Sequence, residues 1–495
     1  MARRFKMKSR SMISLILLLT LFLTTVMAAG CKKVPDPSSG DTTAADTEEN
    51  IDPAVDYLTV EGRKKVSDGL GSYNFGGVIF NVIEQHKDMF AVNSLEEANN
   101  VISVGKMRRN AEIESRFGVK FNIISSMPYK QIVATVAASV LSDSDEYQLV
   151  LNQLSETVST IVNDYCLNWY DIPHMDFDKP WYPKNMIENA TLNNKMYILI
   201  SDLIINATDS IYVIYFDKDV ATSRNIPDLY KTVKDGKWTV DLFEGYIKDT
   251  YQDLNNNGQI DFDGDFFGLA TTDNFSGFYY GMGQNFFRMA ENNSVEYTFN
   301  SESSFSVIDR IKELNVGNRD VVPYDANNRP YNLFLKQRAL FAVEYLVRSY
   351  TDFTQRDGNY GILPFPKLNE EQTNYYSTGN LGMDCMTVPR SVQNTEMVGV
   401  LVTALSAYNW KNIMLSYYNE ILDYRGARDQ ESVEMLDIIK SNLVVDFGFL
   451  YNGPTGWLRQ INFAVMSDQG VASYYERVRN TVEDYYQKLE QYFNS

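Results

Sequence analysis

Between residues 76 and 151 the sequence alternates apolar runs of two different periods, and this restricts the fold more than any other feature of the chain. GGVIFNVIE (76–84) reads as a buried strand. Residues 99–117 carry Ala111, Ile113 and Phe117 on one helical face and Arg and Glu on the other, with Gly118 just past the end. Residues 119–124 alternate as a second strand, and 128–141 repeat Ile132, Val133, Val136, Val140 and Leu141 at helical spacing before a third strand at 147–151. Strands joined through helices by short linkers return in the same direction, so the pattern predicts a parallel α/β sheet. In such a sheet, ligands gather beyond the carboxyl ends of the strands. These ends deliver Glu84 with Gln85 and Asn152 with Gln153; Asn152 there either contacts a ligand or caps the next helix.

A second constraint lies at 181–219. Two runs rich in Ile, Val and Tyr, 196–205 and 211–216, are short enough to be buried strands, and the polar segment 206–210 separates them. By itself this pattern fits either a crossing between two lobes or a buried hairpin. Downstream, residues 336–348 (KQRALFAVEYLVR) end a helix and enter a buried strand that carries Glu344 and Tyr345 to its rim, and 361–366 form a further strand. Residues 397–423 and 429–439 read as amphipathic helices, and 471–493 close the chain as a helix whose apolar stripe is core packing.

The N-terminus bounds the compartment. Arg3, Arg4, Lys6, Lys8 and Arg10 precede a Leu-rich apolar core at 12–23, and small residues lead to Cys31. This resembles the lipobox of bacterial lipoprotein signal peptides, which implies removal of residues 1–30 and a lipid on Cys31. PDPSSGDTTAADTEEN (35–50) holds too little apolar surface to fold, so 31–72 is expected to be an acidic disordered tether. Loss of the five basic residues leaves 40 Lys and Arg against 64 Asp and Glu, a net charge near −24. Such a chain repels nucleic acid and anionic lipid, and its expected tie to the membrane is the lipid itself. Cys166 and Cys385 read as buried thiols, with a single bridge between them as the alternative.

Several short motifs follow one another in order: Arg109-Asn110-Ala111-Glu112-Ile113-Glu114, Arg116-Phe117-Gly118-Val119-Lys120, Lys179-Pro180-Trp181, Asn194-Lys195-Met196-Tyr197, Tyr215-Phe216-Asp217-Lys218 and Asp235-Gly236-Lys237-Trp238-Thr239. Together they resemble the extracellular solute-binding proteins (family 1) of bacterial ABC importers associated with carbohydrate uptake, over the stretch from about Gly76 to the C-terminus. The resemblance implies a two-lobed periplasmic-binding-protein-like fold (type II), with mixed sheets flanked by helices and hinge strands under an inter-lobe cleft. It implies lobe 1 over 73–207 and about 381–435, and lobe 2 over 208–380 and about 436–495. It makes 206–210 a hinge crossing with Asp209 and Ser210 at the cleft floor. By similarity to maltodextrin-binding proteins, Tyr345, Tyr376 and Trp457 are expected to face the cleft, with Trp181 as a further stacking platform.

Sugars need flat aromatic faces flanked by amides and carboxylates. The aromatic segment 275–287 (FSGFYYGMGQNFF) offers Tyr279 or Tyr280, although most of the 33 tyrosines must be packing. A separate segment, DLNNNGQIDFDGD (253–265), places oxygen-bearing side chains at alternate positions around a glycine: Asp253, Asn255, Asn257, Gln259, Asp261 and Asp265. It is either a structural calcium site or a solvated acidic turn; the twelfth position, where an EF-hand carries a carboxylate, is Gly264.

No Gly-x-Ser-x-Gly elbow, phosphate loop or HExxH is present, and neither histidine, His86 or His174, lies in a metal or nucleophile motif. The expectation is a monomeric, lipid-anchored, non-enzymatic receptor on the extracytoplasmic face of the membrane. It captures an oligosaccharide and passes it to an ABC permease, with no cofactor beyond a structural calcium. The alternatives are a lipid-anchored glycoside hydrolase, which needs two carboxylates flanking one bond, and a sensor or binding protein for a non-sugar solute.

Overall fold

The computed structural model describes residues 57, 59–86, 90, 100–262, 264–271, 275–289, 295–322, 330–423, 430–452 and 456–494. The signal segment, Cys31 and most of the tether lie outside these residues.

The alternation read between 76 and 151 is realised as strands β1 (Val78–Glu84), β2 (Val119–Ile124) and β3 (Leu149–Gln153), with helices Val101–Phe117 and Tyr129–Leu141 between them. β1 pairs in parallel with β2 and β3. Asn100 caps the first helix by accepting the Ser103 N–H, and Gly118 ends it at φ 61°, the left-handed conformation that glycine adopts without penalty. Ile113, Phe117, Phe80 and Val82 pack on one face of the sheet, while Ile132, Val136 and Val140 pack with Ile83 and Val150 on the other. A short strand, β11 (Asp384–Thr387), returns from far along the chain and adds antiparallel to β3, giving the order β11-β3-β1-β2.

The second sheet is mixed, in the order β10-β4-β9-β6-β5. It comprises β4 (Tyr212–Asp217), β5 (Gln252–Asp253), β6 (Asp265–Ala270), β9 (Ala339–Tyr345) and β10 (Tyr360–Leu363). β4 and β9 are buried on nearly every side chain, as expected of strands covered on both faces. A hairpin of β7 (Phe287–Met289) and β8 (Val295–Tyr297) stands apart from both sheets.

Four details differ from the sequence reading. Residues Val60–Lys64, expected within the disordered tether 31–72, form a short helix, and the buried Arg63 donates to the Trp410 carbonyl at 2.8 Å. Residues 196–201 form no regular strand and make a single bridge to β11, Leu199 to Met386, and 202–203 turn into the segment that follows. The polar segment after them is a short helix, Ile205–Asp209. The span 397–423 is two helices, Thr395–Asn412 and Met414–Asp423, broken at Ile413.

The chain passes between the sheets through that short helix and returns beside it. Ile211 bridges Gly379 antiparallel. The Tyr212 N–H donates to the Thr378 carbonyl at 2.9 Å, and the Asn380 N–H donates to the Ser210 carbonyl at 3.2 Å. Cys166 and Cys385 are free and buried.

The far end of β4 is fixed by an ion pair. Asp217 caps helix Lys218–Ser223 through the Val220 N–H and also receives the Arg356 guanidinium, and both side chains are fully buried. Arg356 also donates to the Phe334 carbonyl at 2.8 Å and lies over the Phe334 ring. Removing one partner strands the other charge in the core. Arg356→Leu is therefore expected to cost about 3–5 kcal/mol, measured by chemical denaturation of the full chain.

Candidate functional site

The carboxyl ends of β1 and β3 bring Gln85, His86 and Gln153 to one edge of the first sheet, and β11 sets Asp384 opposite Gln153. Hydrogen bonds tie these groups together. The Gln153 N–H donates to Gln85 Oε1 at 3.2 Å, and Gln85 Nε2 lies 3.5 Å from Gln153 Oε1. His86 Nδ1 lies 2.9 Å from Asp384 Oδ2. The Asp384 N–H donates to Asn206 Oδ1 on the crossing helix at 3.1 Å.

From the second sheet, β6 and β9 run parallel, so their carboxyl ends share one edge. β9 ends at Tyr345, whose hydroxyl lies 2.9 Å from that of Tyr212, with ring centroids 4.7 Å apart. Asn380 joins this edge to the crossing through Ser210. A polar arc of amides, an imidazole, a carboxylate and paired phenols thus extends from the first sheet across the crossing helix to the second.

The charges in this arc are perturbed. Burial pushes the Asp384 carboxyl above its usual range, and the His86 hydrogen bond pulls it back. The same hydrogen bond holds His86 above its ordinary value, against partial burial. Asp384 is 0% exposed and its Oδ1 has no hydrogen-bond partner. At the second edge, burial raises Glu344, and Arg348, 3.4 Å away, partly offsets it. Such a set can donate to and accept from hydroxyls while disfavouring anions.

Of the residues expected from sequence, Tyr345 and Ser210 belong to this arc. Asn152 does not: it pairs with Cys385, on the side of the pleat opposite Gln153, and is 3% exposed with Nδ2 on the Tyr129 carbonyl. The rim position is Gln153. Asp209 lies at the crossing, but its Oδ1 is taken by the Tyr350 hydroxyl at 2.6 Å and by that of Tyr417. It pins the crossing rather than facing a cleft. Tyr376 is half-buried against the core beside Ser377.

The stacking expectation is corrected for three aromatics. Trp457 is 0% exposed and packs against Phe299, at 4.1 Å, and Tyr475, at 5.6 Å. Tyr279 is fully buried, its hydroxyl held by Ser304 at 2.8 Å, and it stacks on Phe286. Trp181 is buried between Tyr182 and Trp410. The loop residues Asp253, Asn255, Asn257, Gln259, Asp261 and Asp265 sit at the β5–β6 edge of the second sheet, the side opposite β10.

Sequence reasoning passed over His86 for want of a motif, although it directly follows the recognised strand end. Asn206 lay within the expected crossing 206–210, but Asp384 and its contact with Asn206 carried no signal, because they meet only through a four-residue antiparallel strand and one helical turn.

Two outcomes follow from this geometry. A histidine raised in the folded state contributes stability that is fully present below its unfolded value, about 6.5, and is lost as pH rises through the folded value. The difference in melting temperature between the native chain and His86→Gln is therefore expected to be largest near pH 6 and to shrink as pH rises above about 6.5; a flat difference would count against the pair. Trp457→Ala is expected to cost about 3–5 kcal/mol in denaturant unfolding, as for a large aromatic removed from a core.

No family model and no curated protein sequence matches the chain. Solved structures do. A cyclo/maltodextrin-binding protein complexed with maltotetraose superposes with a TM-score of 0.56 at 10% identity, covering 84% of this chain and 98% of that one. An ABC substrate-binding protein from Listeria monocytogenes in complex with cycloalternan gives 0.53 at 12%, covering 82% and 98%. The maltose/maltodextrin-binding domain MalE from Bdellovibrio bacteriovorus bound to maltotriose gives 0.51 at 11%, covering 83% and 100%. With its two sheets, their crossing and nearly the whole length of those proteins matched, this chain has the two-lobed periplasmic-binding-protein-like fold of ABC-transporter solute-binding proteins.

Proposed function

We propose that the chain is a solute receptor that captures an oligosaccharide at the crossing between its sheets and delivers it to an ABC permease. The observation that carries this reading is the polar arc of Gln85, His86, Gln153, Asp384, Asn206, Asn380, Tyr212 and Tyr345, placed where the carboxyl edges of both sheets meet. Ligands of open α/β sheets bind outside those edges. Amides and a carboxylate beside the half-buried phenol of Tyr345, itself backed by the buried Tyr212, match the hydroxyl edges and C–H faces of a sugar. The similar folds reported above hold maltotetraose, cycloalternan and maltotriose.

Binding rather than catalysis is the role this set supports. Its two buried carboxylates stand at opposite ends of the arc and are each engaged, Asp384 with His86 and Glu344 with Arg348, and amides and phenols lie between them. The chain acts as a monomer, tied to the extracytoplasmic face of the membrane by lipid on Cys31, and Asp209, Ser210 and Tyr376 support the crossing. Among the described residues no helix is long and apolar enough to cross a membrane.

The test is a thermal-shift and calorimetric screen of the full chain in detergent against malto-oligosaccharides, other oligosaccharides, monosaccharides and peptides. A ligand that binds only the folded state adds about 2.7 kcal/mol at a hundredfold excess over its Kd. A shift from one oligosaccharide class is expected, with the sugar recovered intact and affinity reduced at least about tenfold in Gln153→Ala and Asp384→Asn, equivalent to about 1.4 kcal/mol. Recovery of cleaved sugar would turn the reading to a glycosidase. Silence across all sugars would withdraw the carbohydrate.

A further inference from the structure

A cavity of about 270 Å³ lies among residues that take no part in the polar arc, where the β7–β8 hairpin meets the short helix Phe447–Leu450 and the C-terminal helix Val471–Asn494. Its lining is of two kinds. Phe287, Tyr297, Phe447 and Tyr486 give it aromatic walls, and Glu483 and Glu490 give it carboxylates.

The walls stand at steep angles to one another. The Phe287 ring centroid lies 4.8 Å from that of Tyr297 at 82°, 4.6 Å from that of Tyr486 at 57°, and 6.1 Å from that of Phe447 at 75°. They are also held in place. The buried Asp446 carboxylate accepts the N–H groups of Phe286 and Phe287 through Oδ2 and that of Phe449 through Oδ1, which ties β7 to the helix Phe447–Leu450. The Tyr486 hydroxyl donates to the Gly448 carbonyl at 2.7 Å. Gly448 permits this approach, since a Cβ there would lie 2.5 Å from Phe287 Cδ2. A ligand therefore meets walls that it does not have to order.

The carboxylates come from one face of the C-terminal helix, on which Glu483, Tyr486, Gln487 and Glu490 follow at helical spacing. Both glutamates are half-buried. Glu483 Oε1 accepts the Tyr475 hydroxyl at 2.7 Å, but among the described residues no Lys, Arg or His pairs with Glu483 or Glu490. The acid on the neighbouring hairpin does have a basic partner: Glu296 receives Arg288 at 2.6 Å.

This combination selects its guest by charge. An apolar guest would leave two carboxylates uncompensated, and an anion would be repelled. A metal ion requires oxygen ligands that phenyl faces do not supply, and among the described residues no three Asp, Glu, His or Cys side chains converge to hold one. An alkylammonium group suits both parts of the lining. Its carbon surface packs on the rings, whose faces attract a cation within about 6 Å, and the glutamates balance its charge.

We propose that this cavity is a second binding site, specific for a small organic cation of the alkylammonium class. The assignment does not depend on what the arc binds. The cation held there joins the hairpin to the C-terminal helix.

The experiment is calorimetric titration of the full chain in non-ionic detergent with choline chloride, and with its uncharged isostere in which a tert-butyl group replaces trimethylammonium, at constant ionic strength. Saturable choline binding is expected, with the isostere at least about tenfold weaker and choline at least about tenfold weaker in Glu490→Gln and in Glu483→Gln. Glu490→Gln keeps shape and helix and removes only charge, so it carries the test should the loss of charge beside Tyr475 unfold the other variant. Absence of saturable choline binding, equal binding of the isostere, or choline binding unchanged in Glu490→Gln would each overturn the assignment.

Discussion

A half-buried carboxylate at the crossing ties together the segments that run between the two sheets. Asp209 ends the short helix through which the chain leaves the first sheet, and its Oδ1 receives two tyrosine hydroxyls. Tyr350 follows β9 of the second sheet, and Tyr417 stands on the helix Met414–Asp423, the third passage of the chain between the sheets. Burial pushes the Asp209 carboxyl up, and the two hydroxyls, together with the charge of Lys106 on the helix Val101–Phe117, draw it back. Three segments that meet nowhere else in the sequence are thereby joined at one atom. The Ile211–Gly379 bridge beside it adds two backbone hydrogen bonds around one residue pair.

The position of the polar arc depends on this junction. Each sheet by itself presents only a strand edge, with Gln85 and Gln153 on one and Tyr345 on the other. The crossing brings Asn206 to Asp384 and Ser210 to Asn380, turning two edges into one surface. The α/β arrangement explains why these are chain ends and loops: the strand interiors are covered on both faces and read as continuous apolar runs, leaving polar chemistry to the ends.

The parallel core was legible because its signals are local. Helical and strand periods, the Asn100 cap and the Gly118 end each lie within a few residues and agree with one another. The site was legible only in part, because its register is tertiary. Gln85 and Gln153 were read at the strand ends, but Asn152 was expected to make the ligand contact, and one step along a pleat turns a side chain to the other face. The aromatics misled for a different reason. Trp181, Tyr279 and Trp457 have the chemistry of sugar platforms, yet an aromatic ring stabilises a core by burial as readily as it serves a ligand. Composition cannot separate the two. Trp457 shows the distinction physically: it is 0% exposed and packed among Phe299, Tyr475 and Tyr297, which leaves no open face for a sugar ring.

A chain with the receptor role proposed above must also avoid closing when empty. Three buried polar oxygens around the crossing lack partners: Asp384 Oδ1 at the rim, and Ser377 Oγ and Thr378 Oγ1 on the returning strand. Each bare buried group costs about 1–3 kcal/mol. Moving a two-state equilibrium from 1:99 to 99:1 takes about 5.5 kcal/mol of differential binding. Three such groups therefore span the range needed, if hydroxyls satisfy them only when the solute is present. On the reading that the cleft takes a polyol, the unsatisfied atoms bias the empty protein toward openness, and the same atoms become acceptors for the ligand. A core that paired every oxygen internally would be more stable, and would give up that difference between the empty and loaded states.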